Sequence, residues 1–148
     1  MNKIASIIGA IGITSVLFLG AAVKPLPYDS ALTKEYLCTH STKERRNVSE
    51  SLKDAVYAKY KIQDRENYVI DHKINLSIGG NNNFNNLVPQ ERIEAKKKDM
   101  IENYLARKVC RDEISLKEAR KQILDWKKVA LSFGGIETPL IFEDEKDE

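Results

Sequence analysis

Asp71 and His72 stand side by side at the end of Tyr68-Val69-Ile70-Asp71-His72, in a chain that has only two histidines, His40 and His72. Asn86 follows fourteen residues after His72, in Asn86-Leu87-Val88-Pro89. These residue types suit the hydrolysis of a phosphodiester. That reaction needs a water to lose its proton, and it needs charge on the leaving oxygen to be stabilised. A neutral imidazole suits the first task because its pKa lies near working pH. A hard divalent cation held by carboxylate oxygen suits the second. His40, beside Cys38 in a polar stretch, reads as an ordinary surface residue.

Such groups work only if something holds them. Residues 67–74 are rich in β-branched and aromatic side chains and predict a strand. Consecutive strand residues point to opposite faces, so Asp71 and His72 require an irregular strand end to address one phosphate. Asn75 to Asn86, with Gly79-Gly80-Asn81-Asn82-Asn83, must be loop. Leu87-Val88 allows a brief second strand before Pro89. A long helix is expected over 91–109, with Ile93, Met100-Ile101, Tyr104-Leu105 and Val109 on its buried face. Another is expected over 116–131, opened by the capping box Ser115-Leu116-Lys117-Glu118 and burying Leu116, Ala119, Ile123, Trp126 and Ala130. Upstream, a short helix over about 49–60 would pack Leu52, Ala55, Val56 and Tyr60, with Ser51 and Asp54 as its capping pair. Tyr57, Tyr60, Tyr68 and Tyr104 read as core rather than base-stacking groups.

The chain has 148 residues, one domain's worth. Met1-Asn2-Lys3 followed by an uncharged apolar run from Ile4 to Val23 has the layout of a signal peptide over 1–22, with an uncleaved anchor as the other reading. Either way the domain is exported, to the periplasm or beyond. Residues 23–37 read as a linker, 38–133 as the folded domain and 134–148 as an acidic, disordered tail. In an exported chain the two cysteines, Cys38 and Cys110, are most simply one disulfide. A zinc site competes but lacks a C-x-x-C knuckle. Residues 34–128 carry 21 of the 24 Lys/Arg and 15 of the 22 Asp/Glu, a balance compatible with a polyanionic partner.

The stretch from Tyr68 to Asn81 resembles the first strand and loop of HNH endonucleases of the ββα-metal class, and Asn86-Leu87-Val88-Pro89-Gln90 resembles their central asparagine segment. The similarity extends over roughly 36–127. It takes in Cys38, Arg46-Asn47-Val48, Ala95-Lys96-Lys97-Lys98-Asp99, Glu102-Asn103 and Val109-Cys110. The resemblance implies an α+β fold whose small ββα-metal core, a two-stranded hairpin plus a helix, is flanked by further helices. It implies an exported, metal-dependent endonuclease acting on nucleic acid, DNA ahead of RNA, with little sequence specificity. His72 would be the base and Asp71 a ligand of a divalent metal, magnesium by family habit. Asn86 completes the catalytic set by bracing the loop. Lys73, Arg92, Lys96, Lys97 and Lys98 would meet backbone phosphates, near the N-terminal dipole of the long helix.

One position departs from the pattern. The histidine or asparagine that would complete the metal site falls near Ala95, which cannot bind a metal. Glu91, Glu94 and Asp99 are the carboxylates available to replace it, with Glu91 first because it lies close to the helix start. A degenerate domain that binds nucleic acid without cutting, or a disulfide-stapled interaction protein of the cell envelope, are the alternatives.

Overall fold

The computed structural model describes residues 24–133. The expected signal peptide and acidic tail lie outside them. Helix α1 (Lys34–Thr39) and helix α2 (Glu50–Lys59) precede strand β1 (Tyr68–His72). Strand β2 (Leu87–Glu91) runs directly into helix α3 (Arg92–Cys110), and α4 (Leu116–Leu124) and α5 (Trp126–Leu131) close the order. The class is α+β, with one two-stranded antiparallel sheet.

The hairpin sets the geometry of everything else. Tyr68 pairs with Glu91, Asp71 with Val88 and His72 with Leu87. The Lys73 N–H donates to the Asn86 carbonyl (2.7 Å), which makes that pair a hydrogen-bonded one. Such pairs alternate along an antiparallel ladder, so Pro89, opposite Ile70, falls where no inward N–H is needed. This is why β2 runs through the proline to Glu91 instead of stopping at Val88.

Helix α3 buries Lys98, Ile101, Leu105 and Val109 on one stripe. These pack with Ile74, Ile78, Ala119, Ile123, Trp126 and Ala130 into the main core. Ile93 is not part of it and is 70% exposed, because it lies about 80° around the helix from Ile101. The expected helix 116–131 is divided at Asp125, which leaves helical geometry (φ −119°, ψ 42°) and whose carbonyl accepts from the Lys128 and Val129 N–H groups. Aspartate favours such breaks over helix interiors. The Ser115 hydroxyl caps α4 by accepting from the Glu118 N–H, as its spacing predicts.

In α2 the cap is Ser49, whose hydroxyl accepts from the Leu52 N–H, rather than Ser51. The buried face is Val56 and Tyr57, while Ala55 and Tyr60 are exposed. The segment expected to be a linker is packed structure. Thr33 caps α1, Leu37 is buried, and the Leu26 and Pro25 carbonyls accept from the Asn81 and Asn85 side chains. Asp29 N–H also donates to the Gly79 carbonyl.

Cys38, in α1, is bonded to Cys110, at the end of α3, with 5.7 Å between their Cα atoms. A sequence separation of 72 makes this a long loop, and closing it removes unfolded-chain entropy. Replacing both cysteines by serine is expected to lower the unfolding free energy by about 4 kcal/mol. Urea denaturation of the double variant checks this; a loss under about 1 kcal/mol would contradict it.

Candidate functional site

His72 is the last residue of β1 and lies in the layer between hairpin and loop. It is almost wholly buried. Its Nε2 meets Asn82 Oδ1 at 3.0 Å. The Asn82 amide nitrogen donates to the Arg45 carbonyl (2.7 Å), so the oxygen is the group facing the ring. An oxygen only accepts, so Nε2 carries the proton and Nδ1 keeps the lone pair. Burial pushes the imidazole pKa below its ordinary value. The Asn82 bond and Asp71 pull it up, and Arg46 and Lys98 push it down. The net result is a neutral imidazole of defined tautomer.

The loop that presents Asn82 is held by Asn86, which is fully buried. Its Oδ1 accepts from the Ile74 N–H (2.9 Å), and its amide nitrogen donates to the Ile74 (2.9 Å) and Asn81 (2.8 Å) carbonyls. Asn86 therefore closes the loop and does not itself reach His72. Gly80 allows the loop its tightest approach: a Cβ there would lie 1.7 Å from the Ile74 carbonyl oxygen. Gly79 sits in the left-handed region (φ 88°), ending the turn Leu76–Ile78.

Alternation along β1 turns Tyr68, Ile70 and His72 to one side and Asp71 to the other. On His72's side lies a cleft of about 520 Å³ between α2 and the hairpin, lined by Arg46, Lys53, Arg65 and Arg92 together with Tyr57 and Tyr68. Glu50 is the acid among the lining residues, and Lys53 pairs with it (2.6 Å). Arg46 is exposed and has no side-chain partner among the described residues.

On the other side, Asp71 Oδ1 accepts from the His72 N–H (2.7 Å) and Oδ2 from Lys98 Nζ (2.8 Å). Lys98 also donates to the His72 carbonyl (2.7 Å) and to Glu102. Its ammonium, 3% exposed, thus joins the strand end to α3. Burial alone would lower its pKa, but Glu102 and Asp71 outweigh that and keep it charged. Burial raises the Glu102 pKa to about 7, against the opposing pull of Lys98. Asp99, one position on, is raised by partial desolvation and by the negative charge of Asp71, which makes the two carboxylates electrostatic neighbours.

The expected site residues divide accordingly. Asp71, His72 and Asn86 share one corner. Glu91 does not join them: opposite Tyr68, it stands three pairs along the hairpin from Asp71, about 10 Å, on the face away from it, and four pairs from His72. Glu94 is paired with Lys127 (2.6 Å). Of the three carboxylates that could replace the ligand near Ala95, Asp99 is exposed and is the one whose pKa the charge of Asp71 raises. Lys98 cannot meet a phosphate, because it is buried between two carboxylates. Lys73 is half-buried and donates to the Asn85 carbonyl (2.8 Å), Lys96 is exposed, and Lys97 is half-buried. Arg92 lines the cleft while donating to the Glu66 carbonyl (2.6 Å). Asn82, Lys53 and Arg65 were not singled out by sequence.

Among the described residues no cluster of three or more His, Cys, Asp or Glu side chains is gathered for a metal. One or two carboxylates are nonetheless the donor set that magnesium commonly takes from protein, with water and phosphate supplying the rest. Asp71 is the carboxylate beside His72, and its Oδ2 holds the Lys98 ammonium. No protein-family model matches the chain, and no curated protein or solved structure matches it either.

Proposed function

We propose that this protein is a phosphodiester hydrolase of the HNH kind, an endonuclease acting on nucleic acid, DNA ahead of RNA, with little sequence preference. One observation carries the reading: a buried, neutral imidazole, fixed through Nε2 by Asn82, lines a cleft bearing Arg46, Lys53, Arg65 and Arg92. His72 Nδ1 takes the proton of the attacking water. The cleft cations hold backbone phosphates and lower the cost of bringing a polyanion to the site. In this reading Asp71 would hold a divalent ion, magnesium by its preference for carboxylate oxygen, which when bound supplies Lewis-acid stabilisation at the leaving oxygen. To do so its carboxylate would have to exchange the Lys98 ammonium for the ion and turn to the His72 side of the strand end. Lys98 steadies the Asp71 carboxylate and the His72 carbonyl.

Export remains part of the proposal. A disulfide is consistent with an oxidising compartment, and no helix among the described residues is long and apolar enough to cross a membrane.

The test is incubation with plasmid and magnesium, with and without chelator, beside His72→Ala. Chelator-sensitive cleavage lost in the variant is the expected result. Salt-sensitive binding without cleavage would instead support a nucleic-acid-binding module, a reading favoured by the ammonium already seated on Asp71. Neither cleavage nor binding would overturn both.

Asn82 acts through His72 and is a positioning residue. Asn82→Ala is expected to lower kcat about tenfold to a hundredfold with KM little changed. The acid limb of the pH profile should also move to lower pH, because the lost bond raises the imidazole pKa. Nitrogen NMR of the ring should show the Nε2–H tautomer no longer enforced. An unchanged profile and tautomer would remove Asn82 from this role.

A further inference from the structure

Arg65 is held in an unusual way for a cleft cation. Its guanidinium lies over the Tyr57 ring, 4.8 Å from the centroid, and its edge is paired with Asp54. Tyr57 is itself fixed: its ring is buried and its hydroxyl donates to the Tyr68 carbonyl (3.4 Å). The centre of the guanidinium therefore rests over the ring and Asp54 holds one of its nitrogens, while half of the side chain remains open to solvent. A phosphate contact would require only charge, which Arg46 already offers without a partner. A planar cation backed by an aromatic ring is suited to something flat.

We propose that Arg65 is a stacking platform for a nucleobase, so that the cleft takes an unpaired strand with one base on Arg65 and a neighbouring phosphate at Arg46 and His72. This rests on the reading of the cleft as a nucleic-acid site and narrows its substrate to single-stranded or locally opened DNA or RNA. Bases inside a duplex are stacked on one another and present no free face, whereas unpaired bases stack on aromatic and guanidinium planes whatever their sequence. The volume of about 520 Å³ suits a short piece of one strand, and buried His72 is reached only by a phosphate that enters the cleft.

Binding by the full folded domain separates this proposal from the catalytic one. Fluorescence anisotropy on the His72→Asn protein would compare three ligands: a single-stranded DNA of about ten nucleotides, an abasic strand of the same length and the corresponding duplex. The base-bearing strand is expected to bind about tenfold tighter than the abasic one, with the duplex no tighter than the single strand. Arg65→Lys keeps the charge and loses the plane. It should bring the base-to-abasic ratio close to one, with the base-bearing strand losing far more affinity than the abasic one, and Arg65→Gln should weaken both ligands. A ratio near one before substitution, a ratio that survives Arg65→Lys, or tighter duplex binding would overturn the platform. If plasmid is cleaved but the ratio is absent, the platform fails and the His72 reading stands; an intact ratio without cleavage means the reverse.

Discussion

Lys98→Met is expected to destabilise the fold by about 3–5 kcal/mol at pH 8, the scale seen when one partner of a buried ion pair is removed. The methionine fills a similar volume, so the loss reports charge rather than space. Without the ammonium, Asp71, Glu102 and the His72 carbonyl lose their shared donor in a nearly dry pocket. The cost should depend on pH. The folded-state pKa of Glu102 is raised from 4.5 to about 7, so its contribution is fully present below 4.5 and is lost as pH rises through about 7. Lys98 lowers that pKa, and in the variant it rises further. Glu102 then takes up a proton as the solution is acidified, and the penalty shrinks. Urea denaturation at pH 8 and near pH 6 measures both values. A cost below about 1 kcal/mol at pH 8, or one that grows on acidification, would contradict the buried cluster.

His72→Ala is expected to reduce nucleic-acid cleavage by about a hundredfold to ten-thousandfold, the range supplied by a positioned general base. Substrate affinity should change far less, since the phosphate-binding cations remain. In the unmodified protein kcat/KM should rise with pH as the imidazole loses its proton and then level off. Burial depresses the His72 pKa below its ordinary 6.5, so the midpoint of that rise should lie below 6.5. The same shift affects stability: its contribution is present above 6.5 and is lost as pH falls through the folded-state value. The imidazole proton resonances separate this titration from that of Glu102, which falls in a neighbouring window. A midpoint above 6.5 in both kinetics and NMR would mean that the histidine is not held neutral by burial.

The parts of this site that were legible in sequence are those with a local signature. The β-branched run ending at His72, the turn-forming glycines and asparagines, and the Ser115 cap each act through neighbouring backbone. Asn86 was also legible as a brace, and it makes three hydrogen bonds within its own loop. Lys98 was hidden among three consecutive lysines of identical chemistry. Only its phase betrays it, three residues before Ile101 and seven before Leu105, on the stripe that faces inward. Glu91 was favoured because it lies close to the helix start, but the hairpin register sets it opposite Tyr68, three pairs from Asp71 and on the other face from it. Asn82 stands in a run of three asparagines with no periodicity to say which turns towards the ring. Its partner, the Arg45 carbonyl, lies thirty-seven residues away. The packing of 24–37 depends on equally distant contacts with Gly79, Asn81 and Asn85.

The bond between Cys38 and Cys110 also has a topological consequence. It closes a covalent ring that contains α2, both strands, the loop and nearly all of α3. A single peptide-bond cut inside that ring opens it without releasing a fragment. The exposed connection after α2, where Lys61 takes a positive φ of 57°, lies within it. A protein nicked there would migrate as one species on a non-reducing gel and as two after reduction. Both halves of the basic cleft, Arg46 and Lys53 before the nick and Arg65 and Arg92 after it, would stay in the same molecule.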